Sequence, residues 1–340
     1  MSEEKKLLNK SATSNDVARL AGVSQSTVSR VFNPVSGYAV KEEKRQRVIM
    51  AARELGYCPN LVARGMNNGK TNMVGLIVGD SLGPFYNKIV NEFVAKMQEI
   101  GKQCLLFRMS RTERVDRVIE RVLQFHVETA VITASAMTKM MAEEIERNDI
   151  PVVLLNRFIP GTEVSTVYVD PLEGSRKVAE YLLSKGHRNI GYIHLKYEAD
   201  EENEKRIGFY STLRQNQIYQ IKEETSGYDY KEGYAAGLRI LRSENRPTAV
   251  FCTSDLIAMG VMDAARDVMG LRIPEDLAIV GYDDIEMASW GNYNLTSVHQ
   301  PIDELIDEIV KIIKNQTDFD GERKPVVKMI EPELVIRGTV

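Results

Sequence analysis

Residues 17–33, VARLAGVSQSTVSRVFN, decide how the fold at the start of this chain is interpreted. Apolar residues recur at helical spacing over residues 17–21, and Gly22 supplies the permissive backbone that a turn needs. Ser24 is then placed to cap a second helix. The pattern predicts two short helices separated by a tight turn.

The second helix has one apolar and one polar face, because Val28 and Val31 point inward at helical spacing. The outward residues are hydrogen-bonding side chains and one guanidinium: Gln25, Ser26, Thr27, Ser29 and Arg30. Glutamine can read adenine and arginine can read guanine through paired hydrogen bonds. This face predicts a helix-turn-helix that enters the major groove of DNA, with an ordinary helical hairpin as the alternative.

Neighbouring residues favour the DNA-binding interpretation. Thr13 and Asp16 have the spacing of a capping box that would start the first helix. A third helix is expected from about Val40 to Leu55. The residues predicted to close a small three-helix core are Val48, Ile49, Ala52 and Leu55.

The charge of the chain is unevenly divided. Residues 1–70 carry 12 Lys and Arg against 6 Asp and Glu, a balance of +6, whereas the rest carries 32 against 42, a balance of −10. The two balances add to the net charge of −4. A basic head on an acidic body is typical of a phosphate-binding module attached to a domain that does not bind nucleic acid.

The motifs VSQSTVSRVFN and ELGYCPNLVARGM make the chain resemble the lactose/galactose repressor family of bacterial transcription regulators. The resemblance covers nearly the whole chain from Thr13 onward. It implies that Gln25, Ser26 and Arg30 contact bases, and that Thr27 and Ser29 contact phosphates. It also implies a homodimer, or a tetramer, bound to a pseudo-palindromic duplex operator.

A linker follows the three helices. Pro59 ends the preceding helix, Asn60 can cap a short new one, and the run at residues 67–69 ends it. About two turns of helix are unstable alone in water. The resemblance implies a hinge helix that folds in the minor groove of DNA, where Asn60 makes contacts and Met66 wedges between base pairs. A plain flexible tether is the alternative.

Length and composition set the remaining expectations. At 340 residues with 43% hydrophobic residues, the chain can form a small head and larger domains. No apolar run reaches the length of a membrane span and the start lacks a signal-peptide core, so a cytoplasmic protein without membrane contact is expected. Three widely spaced cysteines predict reduced thiols rather than disulfides or metal ligands.

The predicted domain organisation has four parts. Residues 1–12 form a disordered tail, 13–58 the helix-turn-helix domain, 59–71 the hinge helix and linker, and 72–340 the effector-binding domain.

From Met73 onward, short apolar strands alternate with amphipathic helices, which predicts α/β architecture with parallel sheets covered on both faces. The strands suffice for two doubly wound subdomains that face each other across a cleft, as in the periplasmic sugar-binding proteins that the family resembles. We expect an N-subdomain of about 72–170 and 302–328 and a C-subdomain of about 171–301 and 329–340. The chain would cross near Asp170 and Pro301 and return near Lys328.

Ligands of open parallel sheets bind beyond the carboxyl ends of the strands, and polar residues of this chain stand there. The predicted effector contacts at strand ends are Asn156, Arg157, Ser254, Asp283 and Gln300. Four aromatic residues could stack on a sugar ring: Phe85, Tyr86, Tyr228 and Trp290. The resemblance adds Lys205 or Arg206, since the family has an effector-contacting arginine three positions before a glycine, here Gly208.

Structural alternatives remain open for individual residues. Asp255 is placed to cap a helix, Asp170 with Pro171 forms a pair typical of a helix start, and Tyr86 could belong to the core.

An enzyme is the weaker interpretation. Asp283 and Asp284 are consecutive at a strand end, where side chains generally point apart, and no phosphate loop, metal cluster or nucleophile triad accompanies them. The four histidines are expected at the surface or in packing. We therefore expect no catalytic residues, metal or cofactor. The expected function is repression controlled by a small-molecule effector, a sugar or sugar derivative; a cytoplasmic solute receptor or an enzyme with a helical head is the alternative.

Overall fold

The computed structural model describes residues 12–32, 40–59, 71–79, 83–110, 115–133, 139–196, 200–318 and 324–340. The chain divides into two compact units, residues 1–71 and residues 72–340.

The described residues of the first unit form three helices, α1 (Ser14–Ala21), α2 (Gln25–Val31) and α3 (Glu42–Glu54). The predicted capping box starts α1, because the Thr13 N–H donates to Asp16 Oδ2 at 3.0 Å and the Asp16 N–H donates to Thr13 Oγ1 at 3.3 Å. Gly22 ends α1 in the left-handed conformation, with φ of 63°. Ser24 then caps α2 by accepting a hydrogen bond from the Thr27 N–H at 3.3 Å. The sequence signals for the turn are confirmed.

The core of this unit joins one apolar face from each helix. Val17, Val28 and Val48 are completely buried. The predicted core face of the third helix is wrong at two positions, because Leu55 is 37% exposed and Ile49 is only partly buried. Ala51, which was not predicted, is buried instead. Small alanines on α3 allow the three short helices to approach closely, so the larger Leu55 is left at the rim.

The described part of the second unit forms two six-stranded sheets. The first sheet has the order β11-β5-β4-β3-β1-β2, and all of its strand pairs are parallel. Its strands are β1 (Met73–Gly79), β2 (Gln103–Met109), β3 (Thr129–Ile132), β4 (Val152–Leu155), β5 (Ser165–Val169) and β11 (Val327–Ile330).

The second sheet repeats the arrangement in the order β12-β10-β9-β8-β6-β7, with only β12 antiparallel to its neighbour. Its strands are β6 (Ile190–Leu195), β7 (Lys222–Ser226), β8 (Ala249–Cys252), β9 (Ala278–Asp283), β10 (Thr296–His299) and β12 (Glu333–Val335). Strands β3, β4, β8 and β9 are buried along their whole length. This burial explains their continuous apolar sequences.

Helices cover the two sheets. Those of the first sheet are α4 (Pro84–Glu99), α5 (Val115–Gln124), α6 (Lys139–Glu146) and α11 (Ile302–Asp318), and those of the second are α7 (Pro171–Ser184), α8 (Asp200–Gln215), α9 (Tyr230–Leu241) and α10 (Asp255–Asp263). Helix α10 continues into a π-helical turn, Ala264–Val268, and a 3₁₀ turn, Glu286–Ser289, follows β9. Across the described residues, none of the helices combines the length and apolar character that a bilayer crossing requires.

The chain passes between the sheets three times. The passage after β5 lies at Asp170, which caps α7 by accepting hydrogen bonds from the N–H groups of Leu172 and Glu173. The second follows β10 at Gln300 and Pro301. The third follows Ile330, because β11 stays in the first sheet to that residue, somewhat beyond the predicted return at Lys328.

Candidate functional site

A cavity of about 410 Å³ lies between α4 of the first sheet and the segment after β9 of the second. Its lining combines aromatic rings with carboxylates and amides: Pro84, Phe85, Asn87, Lys88, Asn91, Glu92, Asp283, Asp284, Ile285, Glu286, Met287, Trp290, His299, Gln300 and Ile302. The cavity therefore collects four of the predicted effector residues, Phe85, Asp283, Trp290 and Gln300. Its size and mixed lining are typical of a small-molecule site.

A chain of buried hydrogen bonds connects the cavity to both sheets. The Gln300 amide donates from Nε2 to Asp283 Oδ1 at 2.8 Å, and its Oε1 accepts from Asn156 Nδ2 at 3.0 Å. Asn156 Oδ1 in turn accepts from the Val169 N–H at 3.1 Å. All three side chains are at least nine-tenths buried. We call Asn156, Gln300 and Asp283 the amide relay, which ties the end of β9 to the first and second of the three crossing segments.

The backbone of this region adopts unusual conformations. Asn156, Asp283 and Asp284 have φ angles of 53°, 107° and 49°, in the region that favours glycine. Such conformations cost of order 1–3 kcal/mol each and persist where the surrounding contacts enforce them. In this chain the relay and the neighbouring ion pairs provide those contacts.

The two consecutive carboxylates at the end of β9 have different partners, as the sequence predicted. Asp284 accepts from Arg337 Nη2 at 2.6 Å and lies 2.9 Å from His299 Nδ1. Burial disfavours the charged form of Asp284, but the hydrogen bonds from His299 and Arg337 outweigh it and hold the pKa of Asp284 below its usual value. Asp283 instead accepts the hydrogen bond from Gln300. The pair is thus divided between the relay and an ion-pair cluster.

Asp255 does not cap α10, which was the structural alternative for this residue. It is completely buried, and its carboxylate accepts hydrogen bonds from the Ile285 N–H at 2.8 Å and from Ser297 Oγ at 2.6 Å. It therefore clamps the loop after β9 onto β10. Burial raises the pKa of Asp255 to about 7.

Lys205 is buried at the carboxyl ends of the strands of the second sheet, and it forms an ion pair within its own helix. Its Nζ lies 3.1 Å from Glu202 Oε1 and 4.2 Å from the centre of the Tyr282 ring. Glu202 Oε2 accepts from Thr253 Oγ1 at 3.0 Å and from the Leu195 N–H at 3.3 Å. This buried ion pair joins α8 to the carboxyl ends of β6, β8 and β9.

Arg206, the alternative to Lys205, does not join the cavity. Its side chain is 44% exposed and pairs with Glu223 of β7 at 3.3 Å. Residues adjacent on a helix point about 100° apart, so only one of the two can face the sheet. The structure places Lys205 inward and Arg206 outward.

The remaining predicted effector residues do not line the cavity. Tyr228 packs on the start of α4, where a methyl group added to Gly83 would come within 3.0 Å of its ring. Tyr86 is half-buried against the main core, edge-on to Phe85. Arg157 is half-buried after β4, and Ser254 is buried at the start of α10.

Eleven of the fifteen lining residues were not among the predicted effector contacts. Among them, four residues form a polar stripe of α4 at i, i+4 spacing: Asn87, Lys88, Asn91 and Glu92. His299 was expected at the surface or in packing. The spacing of the α4 stripe after the aromatic pair was a usable signal. Among the described residues, no grouping of His, Cys, Asp or Glu could hold a metal ion.

In the first unit, the polar face of α2 is presented to solvent as predicted. Gln25, Ser26, Ser29 and Arg30 are exposed, whereas Thr27 is partly buried and its hydroxyl lies 2.9 Å from the capping Ser24 hydroxyl. The Ser26 hydroxyl also lies 2.8 Å from the Ser24 hydroxyl. Asn60 and Met66, the predicted hinge contacts, lie outside the described residues.

Comparison with known proteins finds matches to the helix-turn-helix unit and to the two-sheet unit. A family model described as bacterial regulatory proteins, lacI family, matches residues 13–60, and one described as a periplasmic binding protein-like domain matches residues 179–340. The HTH-type transcriptional repressor PurR of Pectobacterium carotovorum subsp. carotovorum is 31% identical over 97% of each chain. The chain belongs to the lacI family. It is a DNA-binding transcription regulator with a helix-turn-helix domain and an effector-sensing domain.

Solved structures of lacI family proteins have the same fold. The Lac repressor dimer bound to operator and the anti-inducer ONPF is 25% identical, with a TM-score of 0.87 over 97% of this chain and 99% of that one. A complex of the transcriptional regulator CelR with cellobiose is 28% identical, with a TM-score of 0.70 over 97% of this chain and 100% of that one.

Proposed function

We propose that this lacI family member is a cytoplasmic repressor that binds a pseudo-palindromic operator as a homodimer. Its affinity for the operator changes when an effector binds in the cavity. The observation that carries the proposal is the amide relay, because it connects a cavity-lining carboxylate to the first two crossing segments. Family membership supports the DNA-binding part. The names of the relatives support repression, and no catalytic step is assigned to the chain.

Operator contacts are assigned to the exposed face of α2. Gln25, Ser26 and Arg30 would read base edges in the major groove, and Thr27 and Ser29 would contact phosphates. Asn60 and Met66 would contact the minor groove from the linker. Ser24 holds the hydroxyls of Ser26 and Thr27 at hydrogen-bonding distance. The cap of α2 therefore orients part of the DNA-binding face as well as starting the helix.

Effector contacts are assigned to the cavity. Phe85 and Trp290 would stack on an apolar ligand face, while Asp283 and Gln300 would bond hydroxyl groups. An effector can shift the equilibrium only if it binds the two subdomain arrangements unequally. An effector that bonds Asp283 and Gln300 together would fix the arrangement of the relay, and Asn156 would pass that arrangement to the first crossing.

The proposal is tested in two steps with the full-length protein. An operator is first selected from random duplexes, and its affinity is measured by fluorescence anisotropy at several salt concentrations. A steep salt dependence and preference for a two-fold symmetric site are expected. Sugars and nucleosides are then screened by thermal shift, and every hit is added to the operator complex. Binding to all duplexes with equal affinity, or hits that leave the operator complex unchanged, would contradict the proposal.

A further inference from the structure

The last residue of β10, His299, lines the cavity but takes no part in the amide relay. Its side chain is 34% exposed, and its Nδ1 lies 2.9 Å from Asp284 Oδ2. The other ring nitrogen, Nε2, makes no hydrogen bond with any residue that the structure describes. The ring therefore brings one uncommitted polar atom to the wall of the cavity.

The carboxylate beside this ring is held in one position. Asp284 Oδ1 accepts from Arg337 Nη2 at 2.6 Å, and the Asp284 N–H donates to Ser297 Oγ at 3.1 Å. Arg337 is held in turn, since its Nη1 donates to the Leu295 carbonyl at 2.6 Å. Asp284 Oδ2 is thus fixed by its neighbours at the place where His299 Nδ1 meets it.

These contacts determine which ring nitrogen carries the proton. Burial disfavours the charged form of Asp284, but the hydrogen bonds from His299 and Arg337 hold its pKa below the usual value. The carboxyl group is therefore ionised and can only accept, so Nδ1 must donate. A neutral imidazole has a single N–H group. Nε2 is then left with an unshared electron pair, which makes it a hydrogen-bond acceptor.

The next side chain along the cavity wall is committed at both ends of its amide. Gln300 Nε2 donates to Asp283 Oδ1, and its Oε1 accepts from Asn156 Nδ2. The relay therefore sets the orientation of Gln300. Of the two consecutive residues, His299 is the one that keeps a polar atom with its whole hydrogen-bonding capacity unused.

We infer that His299 is a specificity-determining contact of the effector site, where its Nε2 accepts a hydrogen bond from an O–H or N–H group of the ligand. Asp284 and Arg337 are positioning residues, because they fix the proton on the opposite nitrogen. This inference rests on the proposed function, since it takes the cavity to be the effector site. A ligand with a carbonyl or ether oxygen at this point would lose water and set two electron pairs against each other, so its binding is disfavoured.

The tautomer of His299 is measured on the full-length protein labelled with ¹⁵N-histidine. Long-range ¹H–¹⁵N correlation spectra are recorded at about pH 8.5, where an ordinary imidazole is neutral. The chain has 4 histidines, and the signals lost in His299→Gln assign His299. We expect a proton on Nδ1 and none on Nε2. A proton on Nε2 of His299, in the neutral or the doubly protonated ring, would overturn the inference.

Asp284→Asn tests what sets the tautomer. The new amide should keep its oxygen toward Arg337 and turn its NH₂ group toward His299, because a guanidinium only donates. Nδ1 must then accept, and the proton should move to Nε2. Asp303→Asn, at an exposed position of α11, is the matched control and should leave the tautomer unchanged. A proton that stays on Nδ1 in Asp284→Asn would overturn the positioning role of Asp284.

The ligand contact is tested by titrating glucose, ribose and adenosine, each with its monodeoxy analogues, against Trp290 fluorescence. Trp290 is the only tryptophan in the chain and lines the cavity. His299→Asn keeps an amide donor for Asp284 but removes the atom at the Nε2 position. It should weaken the binding of a compound by about fivefold or more. One deoxy analogue of that compound should bind both proteins equally, because it lacks the donor.

The outcomes separate this inference from the proposed function. An equal loss for every analogue would give His299 a structural role, and no loss for any of them would remove it from the ligand contacts. Either result overturns the inference. Failure of all compounds to bind or to change operator binding counts against the proposed function, whereas the tautomer of His299 is measured without any ligand.

Discussion

Replacing Gln300 by leucine is the most informative test of the amide relay, because leucine has a similar size but no polar atoms. The change removes the 2.8 Å bond to Asp283 and the 3.0 Å bond from Asn156. Each buried group left without that partner costs about 1–3 kcal/mol, with the carboxylate at the upper end. We expect Gln300→Leu to lower the free energy of unfolding by about 2–6 kcal/mol.

The assay is urea unfolding followed by far-ultraviolet circular dichroism. Gln98→Leu, at an exposed position of α4, is the matched control and should change stability by no more than about 0.5 kcal/mol. A double-mutant cycle with Asn156→Ala should show strong coupling, because the two changes remove the same hydrogen bond, between Asn156 and Gln300. If Gln300→Leu unfolds at the same urea concentration as the wild type, or if the two changes are additive, the relay does not stabilise this region.

Two further predictions concern the DNA-binding face and the buried carboxylate. Arg30→Ala should cost about 1–3 kcal/mol on the selected operator and relax preference at one base pair, measured by anisotropy; equal losses on operator and random DNA would contradict base recognition. The pKa of Asp255, about 7, exceeds its ordinary value of 3.8, so the folded protein binds more protons between these values and loses stability as pH rises. This loss should reach about 4 kcal/mol above pH 8 in urea unfolding and be absent from Asp255→Asn; equal pH dependence in both proteins would refute it.

Much of the fold was predictable because buried strands and helix starts have recognisable short sequence patterns. The fully buried strand β4 is a continuous apolar run, β9 carries no charge before its last residue Asp283, and the capping box of Thr13 and Asp16 marks the start of α1. Strand β7 has the sequence KEETS and lies at the edge of its sheet, where one side faces solvent. Its polar sequence is that of a loop, and only pairing with β6 makes it a strand.

The site was predictable where chain topology alone determines position. Asp283 ends β9 and Gln300 follows the neighbouring parallel strand β10, so they had to meet at one sheet edge. Helix α8 was not predicted, since its first turns are strongly acidic. The orientation of Lys205 and Arg206 therefore could not be derived, and neither could the pairing of Lys205 with Glu202. Contacts between distant segments, such as Arg337 with Asp284, leave no signal in local sequence.

The central claim is that a ligand in the cavity controls DNA binding, and titrating effector against the operator complex of wild type and Asp283→Ala tests it most directly. The two proteins should bind operator equally without effector, because the change lies in the sensor unit. The variant should then need about 5- to 150-fold more effector, equivalent to the 1–3 kcal/mol of a hydrogen bond lost in a buried site. Coincident effector curves would contradict the claim, and so would loss of operator binding by Asp283→Ala before any effector is added.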